Sequence, residues 1–275
     1  MLEIKIIDQN GTIKQGKNDY EEQLRPLVFS GVEYAYLATQ VFSFAEGDQI
    51  VVAVDRPGYY WLKLDEALDN TLVYIKETVH YQVTLTANAG DARPETAFHG
   101  QRHYLAVRRA TKAQIDTQQN LSLNPHDQKN FNGSYPHASA NVETRNDATF
   151  FACNAINGIL ANQMHGEYPY QSWGINRQAD AALTIDFGRE VQLTGVGIVL
   201  RGDYPHDSYW TEGTLTFSDG STEILHFEKR LELQQFKFTP RNVDKVTFSQ
   251  LQKADDDSPF PALTEIECYG YNLKD

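Results

Sequence analysis

Residues 183–210 read LTIDFGREVQLTGVGIVLRGDYPHDSYW, and the stretch changes character part-way. Leu183, Ile185 and Phe187 alternate with polar residues, and Val196, Ile198 and Leu200 then repeat the pattern. Successive strand side chains point to opposite faces, so each set marks one buried face of a sheet. The alternation stops at Arg201, and Gly202-Asp203-Tyr204-Pro205-His206-Asp207-Ser208-Tyr209-Trp210 follows, a loop of charges, imidazole and rings. A stiff apolar strand that ends in such a loop presents recognition groups at the rim of a β-scaffold.

Working outward, Leu215 and Phe217 lead into Ser218-Asp219-Gly220, a hairpin signal with a return strand from Ile224. Phe236, Phe238, Val246 and Phe248 keep the same period. The first hundred residues carry LEIKII, YAYLATQVFSF, QIVVAVD, YYWLKL, TLVYIK, YQVTL and HYLAVRR, separated by turns at Asn10-Gly11, Glu46-Gly47-Asp48 and Pro57-Gly58. Residues 110–134 break the pattern with a short helical segment over 112–119 and then Asn, Pro and Gly punctuation. A further short helix fits within 146–162, where Phe150, Phe151, Ala155 and Ile159 fall near helical spacing. The expectation is an all-β protein of two β-sandwich domains, residues 1–116 and 117–275. Tyr59, Tyr60 and Trp61 read as core or inter-domain contact.

Composition narrows the partners. The 275 residues hold 37 acidic and 24 basic side chains, a formal charge of -13, which repels phosphate backbones and anionic bilayers. Nucleic acid and membranes are therefore not expected as partners. The opening MLEIKIIDQNGT lacks the positive, then apolar, pattern of an export signal, and the mean hydropathy is -0.51, so a cytoplasmic location is expected. Cys153 and Cys268 are the two cysteines, too few for a disulfide framework or a cysteine zinc site. The reduced, buried reading is preferred; a Cys153–Cys268 bridge stays open for an oxidising compartment.

From Tyr135 on, Ala138-Ser139-Ala140, Ala155-Ile156-Asn157-Gly158, Trp173, Leu183–Gly188, Ser218-Asp219-Gly220 and Leu263-Thr264-Glu265-Ile266-Glu267-Cys268-Tyr269-Gly270 occur in a definite order. In that order and spacing the second half resembles the galactose-binding-like jelly roll of discoidin or coagulation-factor type C domains and many bacterial carbohydrate-binding modules. PHASANVET, the loop before YQSWGIN and LRGDYPHDSYW are similar to a bacterial group that joins an N-terminal β-domain to this jelly roll; no ligand or reaction transfers from it. The resemblance implies a structural calcium at the positions of Asn157 and Glu265, with Asn162 nearby. Asn157 stands where the family usually has aspartate, removing one negative charge from that site.

The resemblance also implies a saccharide as ligand. Sugar recognition pairs an aromatic face with forked donors or acceptors for neighbouring hydroxyls. Arg201, Asp203, His206, Asp207 and Trp210 supply both, and His165, Glu167, Asn176 and Arg177 from a second polar loop are placed to face them, with His137 as a further candidate. The alternatives are a loop-closing Arg201–Asp203 salt bridge over a buried Trp210, a framework Trp173, a capping His137 and a solvated Asp255-Asp256-Asp257 turn. Glu167, Asp203 and Asp207 also permit a carboxylate pair for glycoside hydrolysis. His137, His165 and His206 with Asp207 permit a metal, though without HExxH or HxH spacing. Gly11 to Lys17 matches the start of a phosphate loop, but Asn18 sits where the hydroxyl belongs and the context is a hairpin. Non-catalytic carbohydrate binding ranks first, a carbohydrate-active enzyme second and a protein-interaction scaffold third. The N-terminal domain would orient the jelly roll or pair two chains into a homo-oligomer.

Overall fold

A computed structural model describes residues 1–273. In the first half, Leu2–Ile7 lies between Val28–Gly31 and Gln49–Val54 in a four-stranded antiparallel sheet completed by Val79–Gln82. The second sheet runs Ser134–Tyr135, Thr71–Ile75, Gly58–Lys63, His103–Arg109, Tyr34–Thr39. The alternation in LEIKII places Leu2, Ile4 and Ile6 inward, where they meet Leu62, Leu105 and Val107 from the other sheet. That interdigitation is a β-sandwich core.

The second half is one long sheet in the order Gln119–Asn120, Ala262–Asn272, Leu183–Leu200, Gln234–Lys253, Trp210–Phe217, Thr222–His226. His137–Ala140 joins the start of the Leu183–Leu200 strand, and Trp173–Gly174 joins Ala262–Asn272. Strands of 18 and 20 residues are too long to stay flat over one core. Register shifts between Asp186 and Val191 and between Leu193 and Gly195 bend them, so the sheet folds over itself as a jelly roll. Its core holds Trp173, Phe187, Trp210 and Phe248.

The expected all-β class holds, with two refinements. Residues 112–119 contain a shorter helix, Lys112–Ile115, closed at its start by a Thr111/Gln114 capping box. Residues 146–162 form 3-10 turns, Ala148–Phe150 and Ala152–Ile156, rather than an α-helix. Asp147 caps the first of these, accepting hydrogen bonds from Thr149 N and Oγ1, and such local bonds compete with a longer helix.

Buried apolar residues gather in two clusters, one spanning Leu2 to Val107 and one Leu121 to Cys268. The segment between them serves both halves. Gln119–Asn120 extends the C-terminal sheet, Ser134–Tyr135 extends the N-terminal one, and the imidazole of buried His126 meets Leu62 O at 2.7 Å. Tyr59 and Tyr74 take the Arg189 guanidinium against their rings at 5.2 and 5.3 Å, the inter-half contact expected of the Tyr59 strand. Tyr60 is core. Both cysteines are free thiols, and burial pushes the Cys268 thiol up to about 12. Among the described residues no helix is long and apolar enough to cross a membrane.

Candidate functional site

Three backbone junctions assemble the rim. Arg201 N donates to Ala262 O at 3.0 Å as the Leu183–Leu200 strand ends, Gly202 N donates to Asn162 O at 2.8 Å, and Trp173–Gly174 pairs with Leu263 and Ala262. They bring the loops after residues 162, 174, 200 and 258 to one end of the jelly roll. The resulting pocket, about 120 Å³, is lined by Thr144, Arg145, Phe150, His165 and residues 174–177, with Arg201, His206 and residues 260–262.

Arg201 forms its floor, backed by Asp203. Both are buried, Arg201 Nη2 donates to Asp203 Oδ2 at 2.7 Å, and Arg201 Nε donates to Oδ1 of the same carboxylate. A forked pair of this kind satisfies two charges that burial would otherwise penalise. Arg201 Nη2 also contacts His165 Nδ1, and that nitrogen lies 2.9 Å from Asp203 Oδ2. His165 Nδ1 therefore sits between the Arg201 guanidinium and the Asp203 carboxylate, on a side chain half open to solvent. His206 stacks on His165 with centroids 4.4 Å apart and reaches Phe260 at 5.5 Å. Its Nδ1 is 3.7 Å from Asp203 Oδ2. The nitrogens of His165 and His206 and the Asp203 carboxylate thus approach one another within 4.8 Å, a metal-like constellation whose cation is the guanidinium of Arg201.

Opposite this floor, Asn176 and Arg177 both take left-handed backbone conformations, φ 48° and 59°. Asn176 N is held by Thr144 Oγ1 at 3.0 Å. The bend lays the Arg177 guanidinium over the Phe260 ring at 4.4 Å. Phe260 is partly exposed, and no carboxylate is among the residues that line the pocket.

Five of the sequence candidates therefore meet in one pocket: His165, Asn176, Arg177, Arg201 and His206, with Asp203 directly behind. The other four do not. Trp210 is in the core, 1% exposed, against Trp173 and Phe248, because its loop has already turned inward into the strand Trp210–Phe217. Asp207 points outward to Lys229 at 2.8 Å, and Lys229 holds its carboxyl below the usual range. Glu167 is exposed and does not line the pocket. His137 sits in the strand His137–Ala140 with Nδ1 2.8 Å from the buried Asp127, a structural pair in another region. The metal reading built on His137 and Asp207 loses both members. Trp173 is framework, its Nε1 donating to Val142 O at 2.9 Å.

The residues that sequence reasoning missed are Phe260, Arg145 and Phe150. Phe260 had a signal, an aromatic between two prolines beside the last strand, that the neighbouring aspartates overshadowed.

At the calcium positions, Gly158 N donates to both oxygens of buried Glu265 at 3.2 Å, and burial pushes that carboxyl well above its ordinary range. Asn157 Oδ1 accepts from Ile159 N at 2.9 Å, and Asn162 Nδ2 donates to the carbonyls of Leu200 and Leu231. Calcium takes six to eight oxygens, several of them anionic. One hydrogen-bonded carboxylate with two amides committed elsewhere does not fit that shell, and Asn162 instead ties the strand end under Arg201 to the loop at residue 231.

Known families and curated proteins give no match to this chain. Among solved structures, the family 32 carbohydrate-binding module from C. perfringens NanJ in complex with galactose aligns at 17% identity, TM-score 0.37, over 48% of this chain and 91% of its own. The lectin domain of lectinolysin complexed with Lewis B antigen aligns at 14% identity, TM-score 0.40, over 57% and 98%. A Streptococcus pneumoniae fucose-binding module, SpX-3, aligns at 13% identity, TM-score 0.41, over 56% and 99%. Each spans about half of this chain.

Proposed function

We propose that the chain is a non-catalytic saccharide-binding protein whose ligand enters the rim pocket of the C-terminal jelly roll. The observation that carries this reading is the convergence of the Arg177 and Arg201 guanidinium groups and the His165 imidazole beside the partly exposed Phe260 ring in a pocket lined without a carboxylate. A pyranose packs its C–H face on the ring while its hydroxyl oxygens accept from the Arg177 guanidinium and from the edge of Arg201 that Asp203 does not use. A pocket with two guanidinium groups and no carboxylate in its lining favours acceptor-rich sugars, including those that bear a carboxylate.

The enzyme alternative needs two carboxyl groups flanking the scissile bond. Asp203 is consumed by Arg201, Asp207 faces Lys229, and Glu167 stands outside the pocket, so the geometry favours binding over hydrolysis. The division into residues 1–116 and 117–275 belongs to this reading, the first unit acting as a platform for the second.

A glycan array of the full chain should give signals that Arg177→Ala and Phe260→Ala each reduce at least ten-fold while the far-ultraviolet circular dichroism stays unchanged. Signals insensitive to both substitutions, or sugar turnover that survives them, would sink the proposal.

A further inference from the structure

Behind the rim pocket lies a larger cavity, about 560 Å³ against about 120 Å³. The same two stretches wall both. Thr144, Phe150 and His165 face the rim, whereas Asn146, Phe151, Tyr168 and Gln171 face the cleft. Its opposite wall comes from the N-terminal half, through residues 80–94. The volume falls in the range of small-molecule sites.

The walls are fixed before any ligand arrives. Asn88 Nδ2 donates to Asp147 Oδ1 at 3.1 Å, Ala148 N donates to Asn88 Oδ1 at 3.1 Å, and Tyr168 N donates to Asp91 O at 2.6 Å. Of the four formal charges lining the cleft, two are acidic and two basic, and three are already engaged. Asp127 pairs with His137, Lys129 with Glu143 at 2.9 Å, and Arg93 with Thr84 O. A cleft without net charge in a chain of -13 has no ionic preference to offer.

Its polar lining is amide instead, ten Asn and Gln side chains. Gln171 is 3% exposed, its Nε2 reaches Ala92 O only at 3.5 Å, and its Oε1 finds no partner among the described residues. A buried acceptor left unpaired is costly, and a ligand hydroxyl would relieve it. Phe131 and Tyr168, both partly exposed and from different segments, supply rings.

We infer that this cleft is a second binding site, for a neutral polyhydroxylated molecule of about disaccharide size, with Gln171 Oε1 accepting from a hydroxyl. Because residues 144–151 and 165–171 wall both cavities, occupancy of one bears on the other through the loops they share.

The test uses the full chain carrying Arg177→Ala with Phe260→Ala, which removes the rim pocket from the measurement. Isothermal titration with lactose, maltose, cellobiose and N,N′-diacetylchitobiose should show at least one of them binding with 1:1 stoichiometry in this background. Gln171→Leu and Tyr168→Ala should each weaken that binding at least ten-fold with the melting temperature retained. Tyr168 lies at the surface, so its variant keeps the test alive if Gln171→Leu folds poorly. Absence of binding by all four sugars in the rim-deleted chain, or binding indifferent to both substitutions, overturns the inference.

Discussion

At the scale of single residues, two aromatic side chains a few positions from the same loops have opposite fates. Trp210 is sealed against Trp173 and Phe248, whereas Phe260 keeps about a third of its surface open under Arg177. Trp210→Ala should lower the unfolding free energy by about 3–5 kcal/mol, the usual cost of emptying a buried tryptophan site. Phe260→Ala should leave the melting temperature nearly unchanged and act on binding; chemical denaturation read beside the glycan array separates the two. The aspartates contrast in the same way. Asp203→Asn strands the buried Arg201 guanidinium and should cost about 3–5 kcal/mol, because an uncompensated buried charge is left behind. Asp207→Asn, which loses only a surface contact to Lys229, should leave the thermal transition in place. Composition and loop position made Trp210, Asp203 and Asp207 candidates and passed over Phe260; only burial sorted them.

At the scale of elements, the segment that links the two halves is pH-sensitive through His126. Burial lowers its pKa from 6.5 to about 4, with Nε2 donating to Leu62 O and Nδ1 buried without a partner among the described residues. Between those values the unfolded chain binds a proton that the folded chain does not, so stability rises with pH there and falls as the solution is acidified. The loss from this group, starting near pH 6.5, approaches about 3 kcal/mol by pH 4, at about 1.4 kcal/mol per unit. His126→Gln should flatten that part of the stability profile in urea titrations run from pH 7 to pH 4. The long strand Leu183–Leu200 has its own weak point at Gly188. Its φ is +69°, within the register shift between Asp186 and Val191, and an added Cβ would fall 2.3 Å from Cγ of the Tyr135 ring. Gly188→Ala should therefore destabilise by at least about 1–3 kcal/mol, measurable as a lower denaturation midpoint. The alternation of Leu183, Ile185 and Phe187 was legible in the sequence. The bulge was not, because nothing in a period-two pattern says where a strand must bend.

At the scale of the whole molecule, strand pairing of Ser134–Tyr135 with Thr71–Ile75, the His126 contact and Arg189 against Tyr59 and Tyr74 join the two cores. Calorimetry should accordingly show one cooperative unfolding transition, and Arg189→Ala should lower it or split it in two. Much of this fold could be read from the chain by itself: the strands, the two apolar sets and the polar rim loops follow from side-chain periodicity and turn chemistry, which are local, while the jelly roll was implied by the family resemblance of the ordered motifs. What only the tertiary structure decided was which rim residues share a pocket. That depends on pairings such as Trp173 with Leu263 and Arg201 N with Ala262 O, which join residues distant in the chain and leave no mark in sequence spacing. The Arg201–Asp203 salt bridge over a buried Trp210 was one of the alternatives the sequence offered, and burial decided for it.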